Sequence, residues 1–328
     1  MPTWQDQRML ITPRPGADRK NIRNVLRETR MKAENLRGPS GSAYESLLRY
    51  LEWATDAARI LRSQVSDRDL DHLVLTRRYQ ALLGSCGTLA GTDQQRLVNG
   101  LVDLEITERI QTFEEAEAVL EAQISRWNGQ EWFVVADSSF YIHNPDKLAD
   151  VELHKVLGLP SGEHIRLLFP IVVVDELDGL KEAGKQRARW RASHTLGLLD
   201  ATLAGSTFGI LRRADLVARD GEVRGEVNME IVLDPPGHMR LPIPDDEIID
   251  RAVAIQPLAA RHVRLLTCDT GQHTRGRAAG LKVTKVPAKD PGPEPDWEAL
   301  DKPGTGVRAQ RRERQTARDA GFDASSGT

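Results

Sequence analysis

The spacing of apolar residues divides the chain into regions of different character. Over residues 16–128 apolar side chains recur at intervals of three and four, which predicts amphipathic helices that each bury one face. The clearest are NIRNVLRETRMKAENL, SAYESLLRYLEWATDAARILRSQV and FEEAEAVLEAQISRW. Glycine-containing breaks at 38–41 and 87–93 separate helices, and Thr92 or Asp93 is placed to cap the next one. We therefore predict an α-helical N-terminal domain, residues 1–128.

The pattern changes at Gln130, where short apolar runs begin to alternate with helical segments. WFVVA, RLLFPIVVVD, VRLLTC and LKVTKVP are typical of strands, and LADVELHKVLGL and AGKQRARWRASHTLGLLDATLAG are typical of helices. Such alternation predicts a mostly parallel sheet covered by helices on both faces. The predicted fold class of residues 129–290 is therefore α/β, with a Rossmann-like parallel sheet.

Two segments depart from this alternation. Residues 215–243 contain two β-like runs around Asp220-Gly221, a dipeptide typical of tight hairpin turns, and we interpret them as a β-hairpin insertion on the α/β core. Residues 291–328 are rich in Pro and Gly and then basic and polar, which predicts a flexible basic tail with a helical part near 307–319.

Composition restricts the function classes. With 40% hydrophobic and 28% charged residues, the chain is typical of a globular protein, and its 328 residues leave room for two domains. The net charge of −3 gives no overall positive field, so any nucleic-acid contact must be local. The two cysteines give no disulfide framework or zinc spacing. We see no signal peptide and no membrane-spanning run, and we expect a cytoplasmic protein without membrane contact.

Acidic residues follow several of the predicted strands. Asp137 follows WFVVA, Glu176 follows PIVVVD and Asp269 follows VRLLTC. In a parallel sheet these strand ends meet at one edge, where ligands bind. Asp245 and Asp246 open a predicted helix that can begin over the same edge. One acid at such a junction is commonly only a helix cap, but several in this order indicate a shared site.

Crowded carboxylates repel one another and resist ionisation unless a cation neutralises them. Mg²⁺ and Mn²⁺ are hard cations that prefer oxygen ligands. At a phosphodiester, such an ion can lower the pKa of an attacking water and stabilise the leaving oxygen. The acids therefore predict a divalent metal site, and activation of a phosphodiester is one reaction that such a site can support.

Four sequence blocks resemble the PIN domain, most closely the PIN domain found beside PhoH-type ATPase domains. They are ADSSFYIHNPDKL, PIVVVDELDGLK with RARWRASHTLGLLD, LPIPDDEIIDRAVAI and RLLTCDTGQHTRGRAAGLKV. Together they lie within about half of the chain. The chain contains no GxxxxGK[ST] motif, so we expect neither a P-loop nor a nucleotide cofactor.

The resemblance implies a ribonuclease, specifically an endoribonuclease, that uses Mg²⁺ or Mn²⁺ and water to hydrolyse RNA. It implies catalytic and metal-binding roles for four acids, with Asp246 as an alternative metal ligand beside the third: Asp137, Glu176, Asp245 and Asp269. Ser138-Ser139 stand where the family has Thr-Asn, and Gly271 stands where it often has Asn. We expect neighbouring hydroxyl residues to support the acids, namely Ser138, Ser139, Thr267 and Thr270.

Basic residues follow two of the acids closely in sequence. We predict that they hold the phosphates of single-stranded RNA, although a solvated helix face is the alternative: Lys181, Lys185, Arg187, Arg275 and Arg277. PIN domains often pair, so a homodimer is expected by analogy.

Two other functions stay open at this point. Ser139 in place of Asn and the large helical N-terminal region favour a PIN fold of low activity that serves as an RNA-binding or protein-assembly module. The toxin of a toxin–antitoxin pair is a further alternative, but such toxins are usually a bare PIN domain and this chain is more than twice that length.

Overall fold

In the part of the chain that the structure describes, five α-helices precede the first β-strand. They are α1 (Arg19–Glu34), α2 (Ala43–Leu61), α3 (Asp67–Leu73), α4 (Arg77–Leu89) and α5 (Gln95–Arg126), with a 3₁₀ turn at Asn35–Arg37. The computed structural model describes residues 11–38, 42–89, 94–183, 185–215, 222–235 and 238–287. The prediction of a helical N-terminal region is confirmed.

Side-chain oxygens satisfy first backbone N–H groups of several of these helices, for example of α1 and α3. Asp18 accepts hydrogen bonds from the N–H groups of Lys20 and Asn21 where α1 begins. Ser66 accepts one from the N–H of Asp69 at 3.2 Å, and its hydroxyl donates to the Asp69 carboxylate at 2.8 Å. Local sequence therefore determines where α1 and α3 start.

Helix α5 is the centre of the helical region, and α1 and α2 pack along it. Its Phe113 is fully buried and packs edge-on against Trp53 of α2, with ring centroids 6.1 Å apart. Glu105 of α5 is also buried, and it accepts the hydroxyl of Tyr50 at 3.2 Å while the guanidinium of Arg109 lies 3.3 Å away. These partners satisfy a charge that would otherwise strongly disfavour burial.

A six-stranded sheet follows the helices. Its strands are β1 (Trp132–Ala136), β2 (Ile165–Pro170), β3 (Phe208–Arg212), β4 (Val227–Val232), β5 (Arg264–Thr267) and β6 (Lys282–Lys285), in the spatial order β3-β4-β2-β1-β5-β6. Every neighbouring pair is parallel except β3 with β4. The central strand β1 is buried after its first residue, which explains its unbroken apolar run. The predicted α/β fold with a mostly parallel sheet is confirmed.

Among the described residues, six helices connect and flank the strands. They are α6 (Ser138–His143), α7 (Leu153–Leu157), α8 (Ile171–Ala183), α9 (Gln186–Leu203), α10 (Pro244–Ala259) and α11 (Thr270–Ala278). The segment LADVELHKVLGL is helical only over α7, which ends at Gly158 in the left-handed conformation, with φ of +62°.

The second strand is shorter than the sequence pattern predicts. PIVVVD is expected to end a strand directly before Glu176, but β2 ends at Pro170 and α8 starts at Ile171. Val173 and Leu177 are fully buried and lie four residues apart, so they share one face of α8. The low helix propensity of a β-branched residue costs only about 0.5 kcal/mol, which such packing overrides. Glu176 therefore lies within a helix, and its predicted place at a strand end is wrong.

The predicted hairpin insertion over 215–243 also differs from the structure. The antiparallel pair is β3 with β4, so it begins before residue 215, and β4 also pairs in parallel with β2. A separate antiparallel bridge joins Asp215 to Arg224, while Asp220-Gly221 lies outside the described residues. The sequence pattern over 215–243 therefore belongs to an antiparallel connection, and the strand that follows it, β4, is part of the core sheet.

Other expectations fall on parts that the structure does not describe. These are the caps Thr92 and Asp93 and the tail 291–328 with its helix near 307–319. Within the described ranges, no helix has both the length and the apolar character that crossing a membrane requires. The described residues up to 287 belong to one compact unit, so the helical region and the sheet region pack together.

Candidate metal centre

The predicted acids gather at the carboxyl edge of the sheet. Strand β1 lies between β2 and β5 and runs parallel to both. Strands β2, β4 and β3 lie on one side of β1, and strands β5 and β6 lie on the other. Where the strand order reverses in this way, a crevice forms outside the carboxyl ends of the strands. Asp137 directly follows β1, and Asp269 follows β5 after one residue. The fold therefore places these two acids on neighbouring strand ends.

Asp137 is only 2% exposed and accepts several hydrogen bonds. The N–H of Phe140 donates to it at 2.9 Å, the hydroxyl of Ser139 lies 2.8 and 2.9 Å from its two oxygens, and the hydroxyl of Thr267 donates at 2.5 Å. Burial raises the pKa of Asp137, the charge of Asp245 raises it further, and the hydrogen bonds only partly oppose this. A cation in this crevice would favour the ionised carboxylate.

Thr267 joins the two strand ends. Its hydroxyl, which donates to Asp137, also accepts the N–H of Asp269 at 2.8 Å. Beside it, the N–H of Cys268 donates to the hydroxyl oxygen of Ser139 at 3.0 Å. The two short side chains therefore hold the first and fourth acids in a common network.

Glu176 reaches the same crevice from α8. Its carboxyl group contacts the hydroxyl of Ser138, and its Oε2 atom is buried with no hydrogen-bond partner in the described structure. Burial raises the pKa of Glu176; the Ser138 hydrogen bond lowers it, and the charges of Asp245 and Asp137 raise it. Glu176 is thus a carboxylate with an unused buried oxygen close to two other acids.

Asp245 and Asp246 both lie in the first turn of α10. One guanidinium nitrogen of Arg275 lies 3.4 Å from an oxygen of each. Burial raises the pKa of Asp245, Arg275 lowers it, and Asp269 and Asp246 raise it. Because Asp245 is the member of the pair whose charge acts on Asp137, it is the better candidate for the third position.

Sequence reasoning misses Gln272, which is fully buried between two acid-bearing helices. Its N–H donates to the carboxylate of Asp269 at 2.8 Å, and its side-chain amide donates to the carbonyl of Asp245 at 3.2 Å. The available signal is its position three residues after the capping acid, where Gln or Glu completes a capping box. Gln272 therefore ties α11 to the start of α10.

The predicted supporting residues behave differently from one another. Ser138, Ser139 and Thr267 each contact an acid. The hydroxyl of Thr270 instead accepts a hydrogen bond from the ammonium of Lys285 at 2.6 Å, and it is bonded toward β6.

Most of the basic residues predicted to bind RNA are exposed. Lys181 lies near the end of α8, Lys185 and Arg187 lie at the start of α9, and Arg277 lies on α11. Arg275 is the exception because it contacts Asp245 and Asp246, although 44% of its side chain remains exposed. Contact of these residues with RNA stays a prediction.

A second set of potential ligands joins the loop before α10 to the first turn of that helix. Within the described ranges, Asp234, His238 and Glu247 are the only group of three or more His, Cys, Asp or Glu residues whose ligand atoms lie within 4.8 Å of one another. Glu247 is buried, and its oxygens lie 2.7 Å from His238 Nε2, 2.8 Å from the N–H of Leu241 and 3.2 Å from Arg251 Nε. The guanidinium already balances the charge of Glu247, so the group braces the loop. The predicted acids stand farther apart, as carboxylates without a cation do.

Several carboxylates at the carboxyl edge of an α/β sheet lie where such folds bind ligands, and oxygen ligands of this kind suit hard divalent cations. Residues 134–286 match the sequence model of a family described as PIN domain. The match covers just under half of the chain and includes all the predicted acids. No curated protein matches the chain. PIN domains are generally nucleases that use divalent metals, so the match supports a nuclease at the level of the family.

Proposed function

We propose that the chain is a metal-dependent endoribonuclease that hydrolyses the phosphodiester bonds of single-stranded RNA. The observation that carries the proposal is the placement of four acids at one sheet edge: Asp137 and Asp269 follow the neighbouring strands β1 and β5, Glu176 lies on α8, and Asp245 lies in the first turn of α10. The PIN-domain match over residues 134–286 supports the nuclease class.

The residues at this edge fit a Mg²⁺ or Mn²⁺ ion. The buried Oε2 of Glu176 lacks a hydrogen-bond partner in the described structure, and burial raises the pKa of Asp137, Glu176 and Asp245. A hard divalent cation supplies the charge and the oxygen affinity that such a site lacks. When bound, it lowers the pKa of a water nucleophile and stabilises the leaving oxygen. The four acids would hold it, with Asp246 as the weaker candidate.

Neighbouring side chains orient the acids for metal binding. Ser139 and Thr267 hold Asp137 in one orientation, and Ser138 contacts Glu176. The exposed part of Arg275 is placed to contact a substrate phosphate beside the acids. Further phosphate contacts are proposed for exposed basic residues of α8, α9 and α11, namely Lys181, Lys185, Arg187 and Arg277.

Cleavage of an end-labelled single-stranded RNA in the presence of Mn²⁺ tests the proposal. The full chain should produce internal cuts, and Asp137→Asn should reduce the rate by at least about 100-fold, more than the loss of an outer partner of a metal site. Asp200→Asn, at an exposed position of α9, is the matched control and should cleave normally. Intact RNA with the unmodified chain, or equal cleavage by Asp137→Asn, would refute the proposal.

A second candidate function is an RNA-binding or assembly module with little catalysis. The observation that favours it is the guanidinium of Arg275, which already lies 3.4 Å from both Asp245 and Asp246 and brings positive charge to that side of the crevice. Calorimetry with Mn²⁺ separates the two functions. RNA binding without any Mn²⁺ binding would favour the module over the nuclease.

A further inference from the structure

Trp190 on α9 is the only exposed tryptophan in the described ranges. Its exposed fraction is 55%, whereas Trp53 and Trp127 are 6% and 4% exposed. An indole is a large apolar ring, and leaving it in water forfeits the free energy that burial would provide. Tryptophan is also enriched among the residues that dominate binding surfaces. A flat ligand that covers the ring would therefore gain affinity from it.

His194, which lies one turn further along α9, contacts the indole of Trp190. The two ring centroids lie 5.2 Å apart, and the ring planes are inclined by 33°. Residues four positions apart lie on the same face of a helix, so this contact restricts the orientation of the indole. The indole is thus partly ordered before any ligand binds, while more than half of the residue's surface stays accessible.

Cations surround Trp190 in the sequence of α9. Residues 183–199 contain four Lys and Arg residues and no Asp or Glu, on a chain whose net charge is −3. Lys185 and Arg187 are exposed, and Arg187 lies three residues before Trp190, on the same helix face. An exposed aromatic ring among cations suits a polyanion that carries flat rings. Single-stranded nucleic acid has both features, because its phosphates are anionic and its bases are unpaired.

Arg191, the neighbour of Trp190, fastens this part of α9 beside the candidate metal centre. Its guanidinium is buried and donates to the carbonyl of Asn144 at 3.0 Å. Asn144 caps the end of α6, the helix that begins directly after Asp137. At ~1.5 Å per residue, the two ends of α6 are separated by roughly 10 Å. A strand of RNA whose phosphate lies at the acids can therefore reach Trp190 within a few nucleotides.

We propose that Trp190 stacks against an unpaired base of single-stranded RNA bound at the candidate metal centre. The identity of the ligand rests on the proposed function, but the stacking does not require cleavage. Every base has a π-face, so Trp190 selects unpaired RNA and not a particular base. In a duplex the bases stack on one another and cannot cover the indole. Lys185 and Arg187 contact the adjoining phosphates.

Titration of the full chain with a short labelled oligouridine, in buffer without divalent metal, measures this affinity separately from cleavage. Fluorescence anisotropy should show that Trp190→Ala weakens binding about tenfold, the scale expected for one base stacked on an aromatic ring. Trp190→Phe keeps a smaller ring and should recover part of the loss. Tyr44→Ala removes an exposed ring from α2 and is the matched control, which should bind normally. The affinity for an RNA duplex should be the same for Trp190→Ala and the unmodified chain.

Oligouridines with single abasic sites distinguish stacking from a structural role of the indole. At the position that meets Trp190, removal of the base should weaken binding to the unmodified chain and have little further effect on Trp190→Ala. Thermal melts followed by circular dichroism establish that the variants are folded. The proposal is overturned if the unmodified chain does not bind the oligouridine, if folded Trp190→Ala binds it equally well, or if no abasic site reproduces the loss. Equal binding would instead favour a protein partner at this surface.

The same variants separate this proposal from the proposed nuclease. RNA binding that depends on Trp190, without any Mn²⁺-dependent cleavage, would refute the nuclease and leave the stacking role intact. Mn²⁺-dependent cleavage whose KM is the same for Trp190→Ala and the unmodified chain would refute the stacking role and leave the nuclease intact.

Discussion

The hydroxyl of Thr267 contacts two of the four acids at once. It donates to the carboxylate of Asp137 and accepts the N–H of Asp269, and the residue is fully buried. Valine has nearly the same shape but can make neither hydrogen bond. Because the partners stay buried when the hydroxyl is removed, they lose hydrogen bonds that water cannot readily replace.

We therefore expect Thr267→Val to lower the free energy of unfolding by about 1–3 kcal/mol. It should also weaken Mn²⁺-dependent RNA cleavage, because Asp137 loses one of the groups that orient it. Urea denaturation and a cleavage assay measure the two effects. Thr274→Val, on the exposed side of α11, is the control. Unchanged stability and cleavage in Thr267→Val would show that the hydroxyl does not organise the site.

Glu176 is an acid whose ionisation the metal-free protein disfavours, since burial raises its pKa. The folded state then holds a proton over a pH range in which the unfolded state has released it. As pH rises from the ordinary pKa of Glu through the raised one, the metal-free protein therefore loses stability. A bound cation reverses this preference because it favours the ionised carboxylate.

Glu176→Gln should accordingly raise the melting temperature of the metal-free protein near neutral pH and leave it unchanged well below the ordinary Glu pKa. In the unmodified chain, the rise in melting temperature caused by Mn²⁺ should be larger at about pH 7.5 than at about pH 5. In Glu176→Gln the Mn²⁺ effect should be small at both. Thermal melts at these pH values, with and without Mn²⁺, measure both effects. A lower metal-free melting temperature for Glu176→Gln near neutral pH would contradict the expected loss of stability from the buried carboxyl group.

Individual residues differ in how far the sequence could predict their place. Asp137 and Asp269 follow apolar runs, and a strand end is a local signal that the structure matches. The bond between Gln272 and Asp245, and the contact of Arg275 with the same acid, join residues 27 and 30 positions apart. Such contacts depend on how α10 and α11 meet, and no local pattern encodes that.

At the scale of elements, Asp245 lies in the first turn of α10, Asp269 caps α11, and Gln272 links the two helices. Its amide donates to the carbonyl of Asp245 while its N–H donates to the side chain of Asp269. Gln272→Ala keeps the second bond and removes the first, so α11 should no longer hold the start of α10. The acids should then need a higher cation concentration to converge.

We expect Gln272→Ala to shift the Mn²⁺ dependence of cleavage about tenfold toward higher concentration, the size seen for outer partners of metal sites. The maximal rate at saturating Mn²⁺ should change less, which a general loss of folding would not produce. His273→Ala, at the adjacent position, is the control. An unshifted Mn²⁺ dependence would mean that Gln272 does not position the acids.

Element types were more predictable than element limits. The helical N-terminal region and the strand–helix alternation follow from periodicity, and both agree with the structure. The boundary between β2 and α8 does not follow from periodicity, because a run of three valines is compatible with a buried strand and with a buried helix. The place of β4 within the sheet depends on its pairing with β2, which lies about 60 residues earlier.

At the scale of the whole molecule, charged residues fasten the helical region to the sheet. Arg126, the last residue of α5, donates to Glu230 of β4 at 2.9 and 2.5 Å. Arg166 of β2 lies 3.3 Å from the other oxygen of Glu230. Next to them Trp127 packs edge-on against Phe133 of β1, with ring centroids 5.6 Å apart. Glu230 itself is 4% exposed, so it is a buried acid shared by both regions.

Removing Glu230 should therefore weaken both regions together, because two guanidinium groups lose their shared partner. We expect Glu230→Ala to lower the free energy of unfolding by about 2–4 kcal/mol, the cost of breaking a largely buried ion pair on one side. Glu28→Ala, at an exposed position of α1, should have little effect. Hydrogen exchange measured by mass spectrometry should show α5 and β4 losing protection in one step, since both lie in the one compact unit that the described residues up to 287 form. Two separate transitions, with the sheet unaffected while α5 opens, would show instead that the helical region is an independent domain.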